Sequence, residues 1–358
     1  MDRTAASLTT TDATERRSVR RLRPGLKRAL AYAFALACLV WVFHDIDRRR
    51  LLAAMSIGNW LFILVAIIVD ILTFVLQGLR WKLLLSPVGR VGWLRATQAI
   101  YAGLFTNELV PLRFGEVVRA FLVSRWLSTR VASVLPSMVV ERFLDAVWLA
   151  AAIGLAAILV PLPKEFIAAG YALGGIVLLA AALFLWLVYL GARESGAKGS
   201  PRDAQRSSPS RLLRGMSRFG SEFASGLRSI GKPRRILLAA LLSAGMLTCQ
   251  VLALWFILLG CRIHLSLSAG AIILLIVRLG TAIPNAPANI GSMQFFTVLA
   301  LGLFGVEKTM AAGFSITYFL VLTIPLWIIG LFAISNAGVN ISHIRTEARV
   351  LHRGSGYA

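Results

Sequence analysis

Between residues 96 and 145 a membrane-like apolar chain carries Glu108, Arg113, Glu116, Arg119, Arg125, Glu141, Arg142 and Asp145. Hydrophobic residues make up 58% of the sequence and charged ones 15%. A charge near the centre of a bilayer costs roughly 2.5–3.5 kcal/mol on insertion scales. Charges in such a segment therefore have to face inward, toward a water-filled cavity or a polar ligand. Acids and bases are near balance, so the cluster can neutralise itself. It also straddles a Pro-Leu-Arg-Phe-Gly break at 111–115 that a straight helix would not keep.

Apolar runs recur along the whole chain, whose mean hydropathy is +0.76. The class that follows is an integral membrane protein. In a soluble protein a net charge of +22 would suggest nucleic acid. Here much of the excess lies in the N-terminal tail (Arg16, Arg17, Arg20, Arg21, Arg23, Lys27, Arg28) and in a central linker. Those positions fix topology and touch anionic lipid headgroups, so no nucleic-acid partner is expected. Cys38, Cys249 and Cys261 are unpatterned, and the four histidines are scattered. Neither a metal site nor a cofactor is expected. The first apolar run, Ala29 to His44, is followed by Asp-Ile-Asp-Arg-Arg-Arg and not by a cleavage signal, which reads as an uncleaved helix.

Spanning helices are expected near 29–44, 58–79, 131–160, 166–190, 236–260 and 309–335. Trp60 and Trp81, about 31 Å apart along a helix, read as interfacial anchors of the second. Two further apolar segments, 96–127 and 267–304, are interrupted in the middle. Each can be two helices or a re-entrant hairpin of half-helices. Both place a Pro four residues before a Gly, at Pro111 and Gly115 and again at Pro287 and Gly291. The expectation is an all-α polytopic bundle of six spanning helices plus two re-entrant helical hairpins, eight helical elements in all.

Counting Lys and Arg places both termini and linker 192–235 in the cytoplasm. The linker holds eleven Lys or Arg against three acids. Three spans then separate the interrupted segments, which would enter from opposite faces as in inverted-repeat transporters. Residues 1–28 form a basic cytoplasmic tail, 29–335 the membrane domain and 336–358 a second cytoplasmic tail. Arg48–Arg50 break the charge rule, and Asp45 and Asp47 read as an interfacial cluster answering them.

Candidate substrate-binding residues come from both interrupted segments. Arg113, Arg119 and Arg142 can receive an anionic headgroup, because a guanidinium binds phosphate bidentately and stays charged in low dielectric. Glu116, Glu141 and Asp145 either position that headgroup or form a neutralised structural network, for instance Glu116 with Arg142. In the second segment Arg278 is the only formal charge between Arg262 and Glu307, beside Asn285, Asn289 and Gln294. A half-helix starting near Gly291 would aim its N–H groups at the midplane. Arg80 reads as snorkelling from a helix end. Asp70, alone in an apolar helix, reads as an internal hydrogen-bond partner or an ion-coupling group.

No G-x-S-x-G, H-E-x-x-H, Walker A or G-x-G-x-x-G pattern occurs, so catalysis is not the leading expectation. Asn107-Glu108-x-x-Pro111-x-Arg113-x-Gly115-Glu116-x-x-Arg119, Glu141-Arg142-x-x-Asp145 and Pro284-x-x-Pro287-x-x-Ile290-Gly291 together carry a resemblance over roughly 30–335. They resemble the flippase-like transmembrane region of lysylphosphatidylglycerol synthases and its stand-alone relatives. The chain departs from that pattern at Asn289 and Gln294. The resemblance implies a multi-pass protein of the bacterial inner membrane that moves a phospholipid or glycolipid between leaflets. No aminoacyl-transfer domain lies within these 358 residues, so lipid aminoacylation is not expected. The leading expectation is a lipid flippase-like transporter for an anionic or zwitterionic phospho- or glycolipid. The alternatives are a membrane-embedded enzyme using Glu116, Glu141 or Asp145 as acid or base, and a non-catalytic scaffold. The oligomeric state is open, a homo-oligomer included.

Overall fold

A computed structural model describes residues 24–110, 114–159, 233–282 and 286–337, with isolated helical positions between 168 and 179. The described residues are all-helical, without a strand. In chain order the helices are α1 (Pro24–Phe43), α2 (Arg48–Ala54), α3 (Trp60–Leu85), α4 (Trp93–Leu109) and α5 (Gly115–Trp126). Then follow α6 (Val131–Leu159), α7 (Pro233–Gly260), α8 (Leu267–Gly280), a short 3-10 turn (Pro287–Asn289), α9 (Ser292–Gly302) and α10 (Lys308–Asn336). Among the described residues three helices are long and apolar enough to cross a membrane: Trp60–Leu85, Arg234–Gly260 and Lys308–Asn336. The expected spans at 29–44 and 131–160 fall on α1 and α6. The one at 166–190 lies outside the described residues.

Local chemistry sets the helix starts. Asn59 caps α3 through its Oδ1, which accepts the Leu61 N–H at 2.9 Å. Ser266 caps α8 by accepting the Ala269 N–H at 3.2 Å. Asp47 caps α2 by accepting the Arg49 N–H at 2.9 Å, so its role is more local than an interfacial charge cluster. The outer surfaces stay apolar. Trp60, Leu61, Leu64, Ile68 and Leu72 form an exposed stripe on α3, as do Ile324, Trp327, Ile328, Leu331 and Phe332 on α10. Such stripes suit lipid and not water.

α3 and α7 pack antiparallel along their length. Gly58 and Asn59 donate to the Gly260 carbonyl at one end (2.8 and 3.2 Å), and Phe62 stacks on Phe256. At the other end Arg80 reaches Ser243. Two cores flank this pair. One joins α3, α4, α5 and α6 through Trp81, Leu84, Ile100, Leu122 and Val134. The other joins α7 to α10 through Ile257, Leu258, Ile273, Ala300 and Phe314. Each core contains one interrupted segment.

Both interruptions restart a helix at a glycine, and both satisfy that glycine's N–H with a side-chain amide. Asn107, two residues before the end of α4, accepts the Gly115 N–H at 2.7 Å. Gln294, in the first turn of α9, accepts the Gly291 N–H at 2.7 Å. The second break needs left-handed backbone at Ala288 (φ 57°), Asn289 (φ 52°) and Gly291 (φ 88°). At the first break the constraint is space. A Cβ on Gly115 would run into the Gly103 carbonyl of α4, and a Cβ on Gly103 into the Gly115 carbonyl.

Gly115→Ala should therefore destabilise by about 1–3 kcal/mol, since the obstacle is backbone and cannot swing away. Gly154→Ala meets nothing within 4 Å and should be neutral or stabilising. Unfolding midpoints in detergent check the pair. Equal midpoints would mean that α4 and α5 do not approach this closely.

Candidate functional site

The Glu141 carboxylate is fully buried beside the first core. α5 aims Arg119 at it in a bidentate fork, with Nη1 to Oε1 at 3.1 Å and Nη2 to Oε2 at 2.5 Å. α3 adds Arg80, whose Nη2 lies 3.3 Å from Oε1, and Gln77, whose Nε2 donates to the same oxygen at 3.0 Å. Arg80 also pairs with Asp145 at 2.5 Å and donates to Ser243 Oγ of α7 at 2.7 Å. Asp145 is shared with Arg142 at 3.6 Å, and Arg142 closes on Glu116 of α5 at 3.1 Å. The Arg119 guanidinium lies 4.1 Å above the Trp81 ring. Trp81 in turn donates to Ser137 at 3.0 Å.

Three carboxylates thus meet three guanidiniums, and the network is neutral. The sequence places them simply. Glu141 and Asp145 share one face of α6 at i, i+4, and Gln77 and Arg80 one face of α3 at i, i+3. Exposure rises along the network, from 0% at the Glu141 and Arg80 side chains to 36% at Asp145, 37% at Glu116 and 50% at Arg142. One end is core; the other is a cavity wall.

Two sequence expectations are corrected here. Arg80 does not snorkel and Trp81 is not an interfacial anchor, since both side chains are fully buried. α3 runs on to Leu85, so neither residue ends the helix. Two acids more than sixty residues later hold Arg80 inside.

The cavity has a volume of about 590 Å³. The ends of both interrupted segments form part of its wall. Asn107, Glu108 and Glu116 come from the first, and Arg278, Thr281 and Asn289 from the second. Arg142, Asp145 and Asp70 face it from α6 and α3. Of the residues singled out in the sequence, Glu116, Arg142, Asp145, Arg278 and Asn289 stand at the wall. Arg119 and Glu141 stand behind it and hold Arg80 and α5 in place. Gly291 is not in the lining; it packs against the Ala35 backbone of α1. Arg113 lies outside the described residues. The structure adds Gln77, Arg80, Ser243 and Tyr318. Asp70 and Gln77, seven residues apart on one face of an apolar helix, were a readable signal for the first of these.

Glu116, Arg142 and Asp145 are engaged with one another. Arg278 is exposed to the cavity and makes no ion pair among the described residues. The charges at the wall also include Asp70 and Glu108, which stand outside the ion-pair network.

A family model for the lysylphosphatidylglycerol synthase transmembrane region matches residues 28–330. The chain belongs to that family. It is similar to two proteins described as UPF0104 membrane protein from Methanothermobacter thermautotrophicus (strain Delta H). One is 25% identical over 306 residues, covering 80% of this chain and 86% of the relative. The other is 22% identical over 332 residues, covering 88% of this chain and 97% of the relative. The family and the apolar helices together make this a multi-pass membrane protein of lipid-related function.

Removing the buried acid should cost far more than removing the exposed base. Glu141→Ala leaves Arg119 buried without an acidic partner and Arg80 with Asp145 alone, at about 3–5 kcal/mol. Arg142→Ala acts on a half-exposed, solvent-screened pair, at about 1 kcal/mol or less. Denaturation midpoints of the purified variants check the ranking. Equal losses would show that the network is not graded from core to cavity.

Proposed function

We propose that the protein moves an anionic or zwitterionic phospho- or glycolipid between leaflets by passing its headgroup through the cavity. One observation carries this reading: a charged cavity inside an apolar chain, walled by the ends of both interrupted segments, with Arg278 free to take a phosphate. A guanidinium offers phosphate two parallel N–H donors. The volume falls within the range of small-molecule sites.

The helix pattern supports an inverted repeat. Displacing residue numbers by 176 takes Pro111 onto Pro287 and Gly115 onto Gly291. The same displacement carries α3 onto 236–261, α5 onto 291–302 and α6 onto 307–335, each within a few residues of α7, α9 and α10. The equivalent helices α3 and α7 lie antiparallel, as two units of opposite orientation require. α4, α5, α8 and α9 are about 26, 18, 21 and 17 Å long, short of the ~30 Å hydrocarbon core. Those lengths support re-entrant hairpins over full spans. Each unit then crosses twice, and the opposite orientation of the second requires an odd number of crossings between them, which the one span expected from sequence at 166–190 would supply. With the basic tails and linker on the cytoplasmic side, the protein is a six-span component of the bacterial inner membrane.

The same geometry weighs against the enzyme alternative. Glu116, Glu141 and Asp145 are each engaged with a guanidinium, so their carboxylate oxygens already have partners other than a substrate.

In proteoliposomes the protein should speed leaflet exchange of a fluorescent phosphatidylglycerol without altering its mass. Arg278→Ala should slow exchange about tenfold or more, the scale of one charge-assisted hydrogen bond. Arg278→Lys should recover part of the rate, because it keeps charge but loses the fork. Wild-type protein that exchanges neither anionic nor zwitterionic lipid above protein-free vesicles would overturn the proposal.

A further inference from the structure

Two carboxylates on the cavity wall stand outside the salt-bridge network: Glu108 of α4, with Trp327 as its hydrogen-bond partner, and Asp70 of α3. Asp70 sits eleven residues into α3, about 15 Å from the helix start and so near mid-span. It is 8% exposed and lines the cavity. No described residue hydrogen-bonds to its side chain. Across the cavity its electrostatic partner is Arg278 of α8, without a direct ion pair.

The surroundings offer few other groups. α4 presents Glu108, hydrogen-bonded to Trp327, and Tyr101, whose buried hydroxyl has no partner among the described residues, and α10 presents Tyr318. α7 presents Met246 and Gln250, neither of which titrates. α6 presents Arg142 and Asp145, engaged with each other and with Glu116 and Arg80. Among the described residues Arg278 is the cation that answers Asp70, and it is also the one outside the ion-pair network that can take an anionic headgroup.

We infer that Asp70 couples lipid movement to protons: one proton binds Asp70 when an anionic headgroup occupies Arg278, and both leave together. The inference rests on the transport reading above. With the site empty, the field of Arg278 supports the Asp70 carboxylate. An anion seated on Arg278 cancels that field and leaves a buried, unpaired negative charge. Such a group neutralises instead of persisting. The proton comes from water on the side to which the cavity is open and is added to a carboxylate oxygen. It returns to water on the other side when the headgroup departs and the carboxylate again faces Arg278. Coupling is reciprocal, so anion binding tightens as pH falls. Headgroup and proton travel the same way, from the acidic to the alkaline side, and the step moves no net charge.

Vesicles holding the full chain and fluorescent phosphatidylglycerol test this under an imposed gradient of one pH unit. At one proton per lipid the probe should gather in the alkaline-side leaflet, up to about tenfold, faster than in protein-free vesicles under the same gradient. A potassium diffusion potential at equal pH should produce no asymmetry. Asp70→Asn should lose the response to the pH gradient, and Asp70→Glu should keep it. Wild-type exchange that continues but ignores the gradient would overturn the coupling and leave transport standing. A normal response in Asp70→Asn would also overturn it. No exchange of any lipid would remove the transport reading, and this inference with it.

Discussion

Everything around the cavity depends on one carboxylate shared by two arginines. Glu141 is out of reach of water, and a lone charge there would cost several kcal/mol. Arg119 and Arg80 approach it from different helices, so neutralising the charge also fixes where α3 and α5 stand on α6. Arg80 extends the constraint to α7 through Ser243, and to the cavity wall through Asp145. Two ionised partners buried in low dielectric gain little net stability over an apolar core of the same shape. What the arrangement supplies is a unique register: a slide of α5 by one turn would strand three charges. Trp81 seals it, with its ring under Arg119 and its N–H on Ser137.

The sequence made the elements legible and their depths illegible. Pro111 and Gly115, with Pro287 and Gly291, marked both breaks. The structure shows why those glycines are needed: one for close backbone approach, one for a left-handed turn. The pairing of Glu116 with Arg142 could be named from charge alone. Arg80 and Trp81 could not be placed. A Trp and an Arg beside Lys82 look like the end of a span, because local pattern is all that a span boundary offers. The residues that pull them inward, Glu141, Asp145 and Ser137, lie on another helix more than fifty residues on. Spacing likewise showed that Glu141 and Asp145 share a face, yet only packing separates the one behind the wall from the one in it. Asp70 stands out in the sequence as a lone acid in an apolar helix, but its relation to Arg278 needs the fold to set both on one cavity.

On the inverted-repeat reading, the two halves share a helix pattern and fill it with different chemistry. Under the displacement of 176 residues, Arg80 falls on Phe256, Arg119 on Phe295, Glu141 on Thr317 and Arg142 on Tyr318. The second half thus packs through aromatic contacts where the first uses ion pairs. Phe62 stacks on Phe256, Trp41 meets Phe295 edge-on at 4.8 Å, and Phe314 stacks on Tyr318. The difference has mechanical consequences. A bidentate ion pair in low dielectric is directional and fails over a fraction of an ångström, whereas an apolar contact tolerates small shear. On the transport reading, motion about the cavity costs least on the side of α8 and α9. That side carries Arg278, while Asp70 stays on α3, locked by Arg80 to α6 and α7. A headgroup cation on the looser half and a titrating carboxylate on the fixed half would separate and rejoin as the cavity changes its access. On that reading, the asymmetry of charge between the two interrupted units is what allows one half to move against the other.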